Sequence, residues 1–588
     1  MCGIFAYKGY QKNAPSMVFE GLKKLEYRGY DSWGIAWKKG ESIQTYRKVG
    51  KISEASSEPF ETEASCLAMS HSRWATHGGV TEGNAHPHRS SNGKILVIHN
   101  GIIENYSELK EELGTSRFQT QTDTEVICEL ISEYCQSMDF LAATKKACEK
   151  FEGRYAFIAM SEDDNRLIAA RRGSPLILGV APGEWFLASD IPAFLQYTRE
   201  VNYLDDDQMV VIDDDKATFF DLLTDSEIQK RTITIDWTEE EAQKGDYDHF
   251  MLKEIMDQKE TIMRAINQNE EEILKIAEYI KSARGVFLSG CGTAGKMCMA
   301  AEYFFSIVAN RHVNFSASSE FPVYHHFLIP ESLLIVVSQS GETADVLEAM
   351  RVAKEKGAKV LSIVNVQGSS IARASDFSLL INAGPEKAVA STKAATSQLS
   401  LLLLIAFAVA GKLEEGKKLL IETASMINDL LNPRFLKYIK EVADEIGHSD
   451  HTYIIGKAAN YPMALEAAIK IQEVSYIHAE GFAAGELKHG PIALITKGTP
   501  CISLIAEDEV KKDILNNTIE LKSRGAHIIG VSPHMHESFD HWIRIPDAGI
   551  ASPIVNLIPV QLLAYYLSVH RGVNPDMPRN LAKSVTVK

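Results

Sequence analysis

Residues Leu333–Val366, "LLIVVSQSGETADVLEAMRVAKEKGAKVLSIVNV", decide the fold of the larger part of this 588-residue chain. An apolar run of strand length enters a turn of Ser, Gln, Gly and Thr. A segment with apolar residues at Val346, Leu347, Met350 and Ala353 follows. That spacing puts four side chains on one helical face, and Gly357 stands where a helix-ending C′ glycine is expected. A second apolar run closes the unit. Strand, turn, helix and strand in this order predict a parallel sheet covered by helices. The same grammar returns at Cys501–Pro533, "CISLIAEDEVKKDILNNTIELKSRGAHIIGVSP", with Gly525 in the place of Gly357. "SDFSLLINAG" (Ser375–Gly384) likewise corresponds to "FDHWIRIPDAG" (Phe539–Gly549). Two homologous α/β subdomains are therefore predicted, over residues 249–434 and 435–575.

The copies differ between strand and helix. The first has "SQSGET" (Ser338–Thr343) where the second has "AEDEVK" (Ala506–Lys511). Ser338, Gln339, Ser340 and Thr343 gather three hydroxyls and an amide at a helix start, where the helix dipole favours an anion. A phosphate site is the sharper reading; an ordinary capped helix would also favour Ser and Thr. "VAST" (Val389, Ala390, Ser391, Thr392) is a weaker companion to the same pocket. "VFLSGCGTAGKM" (Val286–Met297) admits three readings. Gly290, Gly292 and Gly295 satisfy a dinucleotide fingerprint. Gly290, Gly295 and Lys296 resemble a nucleotide loop, but Met297 stands where a magnesium-binding hydroxyl belongs. The third reading is a turn at which Thr293 helps to hold one phosphate.

Residues 1–237 have another texture, short strands and turns such as "KILVIHNGI", with helices expected at "APSMVFEGLKKLEY" (Ala14–Tyr27) and "DTEVICELISEYC" (Asp123–Cys135). An acidic linker, 238–248, separates them from the repeats, and 576–588 form a tail. Cys2 follows Met1 directly. If Met1 is trimmed, Cys2 carries a thiol and an α-amine together. That amine, with a pKa near ~8 against ~10.4 for lysine, is a built-in base for the thiol; chance placement is the alternative. In "YPMALEAAIKIQEVSYIHAEGFAAGELKHGP" (Tyr461–Pro491), Glu466, Lys470 and Glu473 share one helical face. The intervening Ala, Ile and Leu predict that this face is partly buried, where charges require pairing or a function. A solvated salt-bridge pair is the plainer reading. His489 and Lys583 carry no signal by themselves.

The net charge of −17 disfavours nucleic acid or an anionic membrane as partner. The apolar run Leu401–Gly411 is too short to span a bilayer, and no leader is evident at the start. Eight scattered cysteines without a C-x-x-C pair fit reduced thiols in a cytoplasm. "HPH" at 86–88 and "HH" at 325–326 lack partners at metal-ligand spacing, so neither metal nor cofactor is expected.

With these pieces assembled, the chain resembles the glutamine–fructose-6-phosphate aminotransferases (isomerising). The resemblance runs over nearly its whole length, through "MCGI", "LEYRGYDS", "RWATHG", "NAHPH", "HNGIIEN", "TDTEV", "SQSGETAD", "VASTKA", "ELKHGP" and "PRNLAKSVTV". It implies an N-terminal-nucleophile hydrolase αββα glutaminase domain followed by two sugar isomerase (SIS) domains with parallel sheets. It implies Cys2 as the nucleophile attacking glutamine, and Asn100 with the Gly101 N–H as oxyanion hole. Arg73 and Asp123 would hold the amino-acid ends of glutamine, with Thr76 and His77 beside them and Trp74 as gate of a closed ammonia passage. Thr293, Ser338, Gln339, Ser340 and Thr343 would grip the sugar phosphate, with Val389 and Ser391 alongside. Lys583 would form a Schiff base, Glu473 would move a proton between C1 and C2, and His489, from a second subunit of a homodimer or larger assembly, would help to open the ring. Glu466 and Lys470 would support them. Trp33, Ala294, Lys259 and "SSEFPVYHH" depart from the family pattern. An aminotransferase acting on another ketose phosphate and a non-catalytic sugar-phosphate sensor are the rival readings.

Overall fold

Along the strand Gly3–Gly9, side chains alternate between two cores: Ile4 and Ala6 enter one, Phe5 and Tyr7 the other. A period of two is what a strand buried on both faces requires. This is a computed structural model, which describes residues 2–75, 78–237, 241 and 243–586. The chain divides into two compact units, residues 1–242 with 582–588, and residues 243–581.

In the first unit, Gly3–Gly9 lies between Glu184–Ala188 and Leu67–Arg73 in an eight-stranded antiparallel sheet. A seven-stranded sheet contains Ile95–Ile103 paired with Gly153–Ser161. Ile4, Ala6, Leu96 and Ile98 share the core between the sheets. Phe5 and Phe19, the latter on helix Ala14–Lys23, share an outer core. Val97 packs with Val126 and Ile131 of helix Thr124–Tyr134 in the other. Three cores between four layers give the αββα architecture. Trp33, 1% exposed, joins the outer core against Phe19, Tyr46 and Phe60.

The second unit repeats itself in three dimensions. One five-stranded parallel sheet has the spatial order Asn314–Ala317, Gly285–Gly290, Ser332–Ser338, Lys359–Val364, Phe377–Leu380. The other runs His478–Ala483, His451–Gly456, Pro500–Leu504, His527–Ser532, His541–Arg544. Both are therefore wound 2-1-3-4-5. The helix after "SQSGET" spans Ala344–Glu355 and buries Val346, Met350 and Ala353, while Leu347 is half-buried at its edge. Gly357 and Gly525 take the left-handed φ of +77° and +93° expected after a helix. A single core runs through both copies, from Leu288 and Leu403 to Met463 and Leu563.

The sequence reading singled out Leu401–Gly411 as the apolar run. The helix Ser552–His570 is longer and equally apolar, and the stretch Gly549–His570 is long enough to cross a membrane by length and composition. It is instead 89% buried inside this unit, as a core helix.

Candidate active sites

The strand Leu67–Arg73 turns polar at two inward positions, His71 and Arg73, and there it meets Cys2. The Trp74 N–H donates to Cys2 Sγ at 3.1 Å, and the thiol lies 3.5 Å from the Trp74 carbonyl. Burial pushes the thiol above its ordinary range; the Trp74 N–H and the Arg73 charge act against that. Asn100 Nδ2 donates to the Cys2 carbonyl at 2.8 Å. Gly101 follows with φ +114°, and a Cβ there would stand 2.0 Å from the Arg154 carbonyl oxygen. Only glycine lets the chain turn here with its N–H beside the Asn100 amide.

What fixes that amide is a residue the sequence reading missed. His71 Nε2 faces two acceptors, the His99 carbonyl at 3.0 Å and Asn100 Oδ1 at 3.1 Å. With acceptors only in front of it, Nε2 carries the proton. Burial pushes the ring down to about 3, so it is a neutral donor that turns the Asn100 N–H₂ toward Cys2. The available signal was a polar residue two before Arg73 on an otherwise apolar strand face.

Arg73 is 3% exposed and donates to the Gly79 and Gly78 carbonyls at 3.0 and 3.1 Å. Asp123, also buried, accepts the Ile103 N–H at 2.8 Å and lies 3.9 Å from His99 Nδ1. Asp31, not singled out in the sequence, accepts the Ala75 N–H at 2.9 Å. The Trp74 ring sits edge-on to Tyr30 at 5.4 Å. Thr76 and His77 lie outside the described residues.

Four buried histidines surround this site. His71 stacks on His86 at 4.0 Å, and His86 meets His88 at 4.6 Å. Desolvation lowers all of them and His99 too, with Arg73 and Arg47 adding repulsion. Unfolded histidines titrate near ~6.5. The folded unit therefore binds fewer protons than the unfolded chain below that pH, and its stability is lost as pH falls from about 6.5. Each histidine contributes up to ~1.4 kcal/mol per pH unit. The thermal midpoint of this unit is expected to drop by several degrees between pH 7.5 and 5; an unchanged midpoint would refute the neutral stack.

In the second unit, open sheets wound 2-1-3-4-5 bind ligands beyond the carboxyl ends of the strands where the order reverses. In the first copy those strands are Gly285–Gly290 and Ser332–Ser338, which lead into "CGT" and "SQSGET". Ser338 Oγ and Thr343 Oγ1 lie 3.1 Å apart, and the Gly341 N–H donates to Ser338 Oγ at 3.1 Å. The Glu342 N–H donates to Ser340 Oγ at 3.2 Å. Gln339 is half-buried beside them. Gly341, at φ +66°, makes the turn, and a Cβ there would meet Ser369 Oγ at 2.0 Å. Glu386, a buried carboxylate not foreseen, organises the "VAST" loop. It accepts the Ser391 hydroxyl at 3.0 Å and the Thr392 and Ala394 N–H groups at 2.9 and 3.0 Å. The Val389 N–H donates to the Asp576 carbonyl at 3.0 Å.

The helix Tyr461–Ser475 of the second copy brings its charges to the first copy's loop. Thr293 Oγ1 donates to Glu466 Oε1 at 2.9 Å. Lys470 Nζ lies 2.6 Å from Glu473 Oε2 and 3.5 Å from Glu466 Oε1. Glu466 and Lys470 are 0% and 1% exposed, so the solvated surface pair is not what forms. Burial pushes Glu466 up to about 7. Glu473 is half-buried and His489 exposed. Lys583 belongs to the unit of residues 1–242, away in sequence from this group.

The chain matches the glutamine amidotransferase domain family over residues 71–196 and the SIS domain family over 279–408 and 445–571. It is 43% identical to the glutamine–fructose-6-phosphate aminotransferase (isomerising) of Pyrococcus horikoshii and 38% identical to that of Thermus thermophilus, with the full length of each chain covered. The solved C-terminal domain of glucosamine-fructose-6-phosphate aminotransferase from Francisella tularensis covers 57% of this chain and 99% of its own, at 31% identity and a TM-score of 0.53. By that identity over its entire length, the chain belongs to the glutamine–fructose-6-phosphate aminotransferase (isomerising) family.

Proposed function

We propose that the chain transfers the amide nitrogen of glutamine to fructose 6-phosphate and isomerises the product to glucosamine 6-phosphate, releasing glutamate. The observation that carries this reading is the polar cradle around Cys2, in which a neutral His71 orients the Asn100 amide beside the thiol. In this reading Met1 is removed and the Cys2 amine takes the thiol proton. The sulfur attacks the glutamine amide carbon to give a glutamyl thioester and ammonia, and water then cleaves the thioester to glutamate and the free thiol. Asn100 Nδ2 and the Gly101 N–H stabilise the oxyanion, each such donor contributing ~10²–10³ in rate. Arg73 and Asp123 hold the α-carboxylate and α-ammonium of glutamine, with Trp74 as gate.

At the sugar site, Thr293, Ser338, Gln339, Ser340 and Thr343 supply neutral donors for the phosphate, with the helix Ala344–Glu355 behind them; Val389 and Ser391 line the same pocket. Lys583 forms a Schiff base with C2 of the open-chain ketose and releases water; the ammonia then adds to C2 and displaces the lysine amine, leaving the sugar imine. Glu473, positioned by Lys470 and Glu466, carries the proton between C1 and C2. His489 acts from a second subunit in ring opening, a role that its exposure on the 3-10 turn Glu486–His489 favours.

Incubating the protein with glutamine and fructose 6-phosphate tests the reading. Glutamate and glucosamine 6-phosphate are expected in equal amounts; glutamate without amino sugar, under saturating fructose 6-phosphate, would overturn it. A second test isolates the phosphate loop. Gly341→Ala strains the turn that aligns the hydroxyls, and losing one hydrogen bond to a charged phosphate corresponds to roughly 10–100-fold. The KM for fructose 6-phosphate should rise by that factor while glutamine hydrolysis without sugar is unchanged. An unaltered KM would remove "SQSGET" from the phosphate site.

A further inference from the structure

Three donors at the last two strands of the second copy take part in none of the steps above. His527 opens the strand His527–Ser532, His541 opens the neighbouring parallel strand His541–Arg544, and Glu445 lies in the last turn of helix Pro433–Ile446. One ligand atom from each lies within 4.8 Å of the other two. His541 Nε2 is 2.9 Å from Glu445 Oε2, and His527 Nε2 is 3.4 Å from Glu445 Oε1. In a tetrahedral zinc site with bonds of about 2.0–2.1 Å, neighbouring donors stand roughly 3.3 Å apart. The two separations, each to a different oxygen of the carboxylate, bracket that figure, and the two histidine donors lie within 4.8 Å of each other.

Two further observations favour a metal over a simple ion pair. His527 Nε2 is shut off from solvent and makes no hydrogen bond, its 3.4 Å contact with Glu445 Oε1 lacking hydrogen-bond geometry, so its hydrogen-bonding capacity is unused inside the cluster. Behind it, His527 Nδ1 lies 3.8 Å from Asp540 Oδ2, a carboxylate held in place by the Ile528 N–H at 2.7 Å and by Lys522. At 3.8 Å it is not hydrogen-bonded to the ring, but a carboxylate on this side of an imidazole is the usual support of a metal-binding histidine once that bond forms. The donors are also carried by rigid elements. The helix is clamped by Ile439, Val442, Ala443 and Ile446, and both histidines sit at strand starts. This is the amino-terminal edge of the sheet, whereas the ligand crevices of such sheets lie at the carboxyl edge.

We infer that Glu445, His527 and His541 form a zinc site, with water in the fourth position, that fastens helix Pro433–Ile446 to the edge of the second sheet. Two imidazoles and one carboxylate suit Zn²⁺ and offer too few oxygens for Ca²⁺ or Mg²⁺. The site is independent of the transferase reading and is tested without it.

The full chain, stripped with chelator, is titrated with Zn²⁺ by calorimetry and with Co²⁺ in the visible range, beside His541→Gln and Glu445→Gln. Glu445 is exposed, so its replacement leaves the fold intact should the histidine variant prove unstable. The wild-type chain is expected to bind one more equivalent of Zn²⁺ than either variant, to show a tetrahedral Co²⁺ band that both lack, and to gain thermal stability with Zn²⁺. The affinity at this site should fall by at least ~10–100-fold in each variant, with synthase activity unchanged. Equal stoichiometry, equal affinity and no Co²⁺ band in all three proteins would overturn the inference.

Discussion

The Cys2→Ala chain is expected to release glutamate from glutamine ~10⁴–10⁶-fold more slowly than the wild type, the scale seen when a covalent nucleophile is removed. No other thiol can substitute. Cys2 is the cysteine to which the Trp74 N–H is aimed and whose carbonyl receives the Asn100 amide. The loss should be confined to glutamine chemistry. The loops proposed to hold the sugar phosphate are built on a separate unit with its own core, so fructose 6-phosphate should bind to the variant with unchanged affinity. Glutamate release measured with the sugar absent and present separates the two effects. A rate within tenfold of wild type would mean that another group attacks the amide.

The second large effect concerns stability. In Lys470→Met, the cation between Glu466 and Glu473 disappears while both carboxylates remain. Breaking a buried ion pair by removing one partner leaves a charge without compensation and costs about 3–5 kcal/mol. Glu466 has little alternative, since it is 0% exposed and burial already holds it near 7 with Lys470 present. Without that amine it takes up a proton at neutral pH. Glu473 loses its 2.6 Å partner, so synthesis should fall with stability. Adding Glu466→Gln removes the cost of protonating a buried carboxylate at neutral pH and should recover most of the stability but not the synthesis. Chemical denaturation of the wild type and the two variants measures the first, and product formation the second. A single variant within about 1 kcal/mol of wild type would show that the triad is hydrated after all.

The repeated α/β grammar was readable from the sequence because central parallel strands such as Ser332–Ser338 are buried on both faces. Their apolar runs therefore have no polar interruption, and glycines such as Gly357 and Gly525 mark helix ends. The helical face of Glu466, Lys470 and Glu473 was also legible, since spacing alone fixes it. What spacing cannot give is which distant loop a face meets. That Thr293 reaches Glu466 depends on how the two copies pack, 173 residues apart. The supporting residues were hidden for a related reason. His71, Glu386 and Asp31 act through backbone groups and a neighbour's amide, so no motif of their own announces them. The apolar helix Ser552–His570 escaped notice because Asn556 and Gln561 interrupt it in sequence, yet both are buried and hydrogen-bonded in the fold. Trp33 departs from the family pattern without disturbing the Cys2 cradle, because it points to the opposite face of its sheet.

The first unit contains residues from both ends of the chain: Arg154 Nε donates to the Thr586 carbonyl at 3.0 Å, across 432 positions. During synthesis, everything from 243 to 581 must leave the ribosome before that contact is made. The second unit closes on itself, since Asp576 near its end accepts the Phe250 and Met251 N–H groups at its beginning. The first unit, started first, is thus finished only after the whole of the second has been made.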